Sequence, residues 1–60
     1  MDKLFKLNKL GFRLKIFKRD SKFVVTATSK DKIIEHSSDV LDDAIEECYD
    51  ACIDFLDSLR

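Results

Sequence analysis

From Leu41 onward the apolar residues return every three or four positions, and no other feature of the chain restricts its fold as strongly. At about 100° per residue, Leu41, Ala44, Ile45, Cys48, Ala51, Cys52, Phe55, Leu56 and Leu59 centre one face of a helix. Asp43, Glu46, Glu47, Asp50, Asp54 and Asp57 line the other. Tyr49 and Ile53 widen the apolar arc to about 200°, twice the stripe that docking on one surface requires. Such a helix needs a sheet beneath it and further cover on its flanks. Ser37-Ser38-Asp39 precedes it, and Asp39 is the expected N-cap, with Asp42 and Asp43 placed near the positive end of the helix.

Upstream the period is two. Leu10, Phe12, Leu14 and Ile16 fall on one face of a strand, with Lys9, Gly11, Arg13 and Lys15 on the other. Lys18-Arg19-Asp20-Ser21 reads as a hairpin turn, after which Phe23, Val25 and Ala27 point inward and Val24, Thr26 and Thr28 outward. Ser29-Lys30-Asp31-Lys32 is a second turn before a short strand through Ile33 and Ile34. The expectation is an α+β fold in the order ββ(β)α. A small antiparallel sheet of about three strands, over 9–18, 22–29 and 32–36, packs on one C-terminal amphipathic helix over 40–59. Residues 10–60 form this single domain, and residues 1–9 are expected to add an N-terminal arm or an extra edge strand through Leu4, Phe5 and Leu7.

Sixty residues hold no enclosed cofactor pocket, and no apolar run is long enough for a membrane span or a signal peptide. Folding is closely balanced. The apolar gain is roughly 90 kcal/mol at about 25 cal/mol per Å². The ordering cost is also roughly 90 kcal/mol at about 1.5 kcal/mol per residue. A partner that covers more apolar surface would tip that balance. Together with the wide helical arc, this points to a homodimer or a protein partner, with Tyr49, Ile53, Phe55 and Leu56 as the candidate oligomer face.

The net charge of −1 conceals a division. Residues 1–34 carry ten Lys/Arg and three Asp, a balance of +7, whereas residues 35–60 carry Arg60 against nine acids, a balance of −8. The acidic helix face, Asp43, Glu46, Glu47, Asp50, Asp54 and Asp57, is a candidate surface for a basic protein partner. Lys9, Arg13, Lys15, Lys18, Arg19 and Lys22 form a candidate nucleic-acid patch with Phe17 as its one available aromatic.

Signals for catalysis and metal binding are weak. His36 lies beside Glu35, Ser37 and Ser38 without a glycine-rich elbow or an oxyanion loop. Cys48 and Cys52, four apart on an apolar helical face, read as reduced core thiols of a cytoplasmic protein. No calcium-loop spacing accompanies the acids. The expectation is no enzyme, no cofactor, no metal and no membrane partner.

The order hairpin, short strand, polar cap and helix, with the acidic-alanine steps Asp43-Ala44 and Asp50-Ala51 followed by Ile53 and Leu56, resembles the HicB-type antitoxin domain over residues 10–57. The resemblance does not include the C-terminal DNA-binding module common in such antitoxins. It implies a β/α domain that oligomerises and neutralises a small toxin ribonuclease by covering its active surface. The functional expectation is thus a small non-enzymatic protein-binding domain, an antitoxin or phage/host inhibitor that masks a nucleic-acid-processing protein. Two alternatives stand beside it: a nucleic-acid-binding accessory protein using the basic sheet face, and a structural accessory subunit of a larger assembly.

Overall fold

The computed structural model describes residues 2–59. Met1, in the expected arm, and Arg60, counted above among the basic residues, lie outside the described residues. Five elements follow in order: α1 (Asp2–Lys9), β1 (Arg13–Arg19), β2 (Lys22–Thr28), β3 (Ile33–Ser38) and α2 (Leu41–Ser58). The three strands form one antiparallel meander in the order β1-β2-β3, so the α+β class is as expected. Both helices pack on the same face of the sheet, α2 against β2 and β3, and α1 against α2 and β1.

The N-terminal segment is a helix and not an edge strand. Asp2 stands in its first turn and Lys6 and Lys9 in its last, each complementing the dipole. Leu4 and Leu7, three apart, face the core, and Leu7 is fully buried. The helix stops at the chain's one glycine. Gly11 adopts φ +101°, its N–H donates to the Asn8 carbonyl at 3.1 Å, and the Phe12 N–H donates to the Leu7 carbonyl at 3.1 Å. This is the Schellman arrangement, and the apolar contact that commonly accompanies it is present: Leu7 and Phe12 are both buried in the core. The first strand therefore begins at Arg13, four residues later than the alternation from Lys9 suggested. Leu10, expected to face the core, lies in the connection and is half exposed.

The register pairs Phe17 with Val24 and Val24 with Ser37. One sheet face, carrying Leu14, Val25, Ala27 and Ile34, joins the core cluster with Leu7, Phe12 and the buried residues of α2. Ile16 shares this side but is 41 % exposed, because β1 is an edge strand and α2 lies over β2 and β3. Val24 faces outward as the alternation predicts, but it is not solvated. It points away from the helices yet is only 1 % exposed, on the face where Phe17 is its neighbour. The Arg19–Glu35 ion pair also joins the two outer strands across β2 on that face.

The β1–β2 connection is tighter than a four-residue turn. Arg19 pairs with Lys22, leaving only Asp20 (φ 53°) and Ser21 (φ 66°) in the loop. Two left-handed residues in succession match the twist of a hairpin, and Asp is among the side chains that best tolerate that conformation. The second turn falls where expected, closed by the Ser29 N–H donating to the Lys32 carbonyl at 2.8 Å.

The N-cap of α2 is Val40, not Asp39. Val40 is extended (φ −112°, ψ 126°) and its side chain makes no cap hydrogen bond. Its N–H instead donates to the Ser38 hydroxyl at 3.3 Å, so the serine ends β3 and draws the chain toward the helix. Ala44, Ile45, Cys48 and Cys52 form the buried stripe of α2, with Leu41, Tyr49, Ala51, Phe55 and Leu56 partly buried beside it. The flank left over by the sheet is where α1 docks. The Lys3 ammonium sits 5.4 Å from the centre of the Tyr49 ring and 3.5 Å from the Glu46 carboxylate. The N-terminal residues thus supply part of the cover that the wide apolar arc demands.

Candidate functional site

The charge division of the sequence becomes a division in space. α2 lies across the inner face of the sheet, so its acidic side and the outer sheet face are the opposed outer surfaces of the domain.

On α2, Asp43, Glu46, Glu47, Asp50, Asp54 and Asp57 are all exposed. The stripe runs about 21 Å at 1.5 Å per residue. Glu46 meets Lys3, and Glu47 lies 3.8 Å from His36 Nδ1. Among the described residues, Asp43, Asp50, Asp54 and Asp57 have no cation within ion-pair distance. Like charges four apart on a helix repel by a few tenths of a kcal/mol each, so this face carries a small local cost that a cationic surface would relieve.

On the outer sheet face, alternation along β1 sets Arg13, Lys15, Phe17 and Arg19 on one side. Lys22 of β2 pairs with Arg19, and Thr26 and Thr28 continue the row toward Glu35 and Ile33. Phe17 lies between two cations, with the Lys15 ammonium 5.7 Å and the Arg19 guanidinium 5.6 Å from its ring centre. Arg19 Nη2 also donates to Glu35 Oε2 at 3.2 Å. Ile33 is 67 % exposed at the far end.

Of the six residues expected to make the basic patch, four share this face. Lys18 pairs with Phe23 on the inner side, its ammonium 5.1 Å from that ring, and Lys9 lies on α1 over Phe5. The expected oligomer residues Tyr49, Ile53, Phe55 and Leu56 are all half-buried within the domain. What sequence reasoning missed is the pairing of Arg19 with Glu35 across the sheet, which no local pattern reveals and which only the strand register could have found.

The histidine and the two cysteines lie elsewhere in the fold. His36 of β3 is half-buried, with its Nδ1 3.8 Å from the Glu47 carboxylate of α2. Cys48 and Cys52 are free thiols with fully buried side chains. Burial raises the pKa of both, Cys52 to about 12, with Cys48 beside it adding to the shift. Among the described residues no group of three or more His, Cys, Asp or Glu is placed to hold a metal ion. One open concavity lies between the starts of the two helices, lined by Asp2, Lys3, Asp42, Ile45 and Glu46; another lies at Gly11, Arg13, Thr28, Ser29 and Lys30. No helix among the described residues is long and apolar enough to cross a membrane.

No family model, curated protein or solved structure matches the chain.

Proposed function

We propose that the protein is a non-catalytic binding module that docks the acidic side of α2 against a basic protein surface. The observation that carries this reading is the row of exposed carboxylates at Asp43, Asp50, Asp54 and Asp57, none with a counter-charge among the described residues, on a helix whose other side is fixed to the sheet. A rigid anionic helix fits a cationic groove, and the substrate channel of a nucleic-acid-processing protein is such a groove. Masking by contact needs no reactive side chain, and the buried thiols are in keeping with that. The resemblance to the HicB-type antitoxin domain favours an inhibitory form of the same reading. Association of two copies through α2 has less support, because α1 already packs along that helix.

The test uses the tagged protein as bait in extracts of its native host, with Asp50→Lys/Asp54→Lys as the comparison. The expected result is a basic partner that the intact protein retains in near-stoichiometric amount. The reversed variant should lose it while keeping its circular dichroism and melting temperature. Retention of the same partner by the reversed variant, or no stable partner at all, would overturn the reading.

A further inference from the structure

We propose that the outer face of the sheet binds single-stranded nucleic acid, its phosphates along the cations of β1 and one base against Phe17. This surface lies opposite α2, so the inference stands whether or not that helix docks a protein. Three observations carry it. First, both helices occupy the inner face, so the outer side of β1 and β2 has no covering element among the described residues. Second, Arg13, Lys15, Arg19 and Lys22 stand there against the single carboxylate of Glu35, a local excess of positive charge on a domain whose net charge is −1. Third, the Lys15 ammonium and the Arg19 guanidinium lie 5.7 and 5.6 Å from the centre of the Phe17 ring, so cations and an aromatic share one surface. Outward residues of a strand recur at roughly 6.6 Å, which spaces the charges in a line rather than a cluster.

A line of cations with an aromatic between them suits a polyanion whose rings are unpaired, because stacking tolerates any base and the charges follow the backbone. A duplex hides the faces of its bases, and the carboxylates of an acidic peptide offer no ring to stack. The remaining occupant is the acidic side of α2 from a second copy, which shares the charge complementarity but makes no use of the ring.

The experiment is fluorescence anisotropy with a labelled twelve-nucleotide oligo(dT), a duplex of equal length, and the intact protein at several salt concentrations. Sedimentation of the protein alone accompanies it. Contact with about three phosphates gives a log–log salt slope of about −2, so affinity should fall roughly fifteenfold between 50 and 200 mM salt. Arg13→Glu/Lys15→Glu, both exposed residues, should remove binding without altering the fold. Phe17→Leu preserves cover over Val24 and should weaken the single-strand complex several-fold with the salt slope unchanged. The proposal is overturned if oligo(dT) is not bound at 50 mM salt. It is equally overturned if the duplex binds as well and Phe17→Leu has no effect, or if the protein alone associates in a salt-sensitive manner that Arg13→Glu/Lys15→Glu abolishes, which would give the face to a second copy.

Discussion

The two helices are fixed by different means. α1 has eight residues, fewer than an isolated helix needs to persist in water. Its stop signal and its core contact are carried by the same residues: Leu7 supplies both a carbonyl to the Schellman motif and a fully buried side chain, and Phe12 answers it in both respects. α2 has eighteen residues and begins at a valine whose side chain caps nothing. It is held by the continuous stripe Ala44, Ile45, Cys48 and Cys52 against the sheet. The short helix is fixed by a stop signal and a buried side chain together, the long one by its buried stripe.

Substitutions can break or sharpen that contrast. The largest effect is expected from Leu7→Ala, which removes a buried leucine at a cost of about 2–5 kcal/mol. In a domain this small that loss should leave much of the protein unfolded at 37 °C, as a denaturant titration would show. A mild effect would mean that α1 is an appendage and not part of the core.

Alkaline pH probes the other helix. The folded-state pKa of Cys52 lies at about 12, above its ordinary 9.0. The neutral buried thiol therefore contributes its full stability below about pH 9, where the unfolded chain also keeps its proton. That contribution declines as pH rises from about 9 toward 12. Melting measured across this range should show a decline of roughly 1–3 kcal/mol by about pH 11, with a flatter slope in Cys52→Ala. Equal slopes would place the alkaline sensitivity elsewhere.

Gly11→Ala should cost about 1–2 kcal/mol, entirely through the backbone, since φ is +101° and an added Cβ meets no atom within 4 Å. The smallest expected change has the opposite sign. Val40→Ser gives α2 the cap it lacks at a position already 52 % exposed, for a gain of about 1 kcal/mol and a rise in melting temperature of roughly 4–8 °C. A null result there would show that water already satisfies the first-turn N–H groups.

The parts of the fold that alternation and helical period describe were legible in the sequence. Val25, Ala27 and Ile34 sit where a period of two puts them, and the stripe of α2 sits where a period of 3.6 puts it. α1 escaped because three apolar residues in eight satisfy an extended arm as readily as a helix. The signals that would have found it were Asp2 at the start, Lys6 and Lys9 at the end, and a lone glycine directly afterward. Asp39 is a reasonable cap by type, but the helix starts one residue later, with Val40 at the cap position. The acidic surface was readable residue by residue because helix position alone fixes exposure there. The basic one was only partly so: Arg13, Lys15, Arg19 and Lys22 follow from alternation, whereas Lys9 needed knowledge of α1. Val24 follows from no local rule, since its burial depends on Phe17 being its cross-strand neighbour.

The docking of α1 on α2 joins two elements that the whole sheet separates along the chain. On a ribosome, Leu4 and Leu7 emerge before α2, and until its residues have been synthesised only Phe12 and β1 can cover them. The β-meander can pair as it appears, but closure of the core must wait, and a nascent chain halted before Leu41 would hold its leucines open to aggregation or to a chaperone.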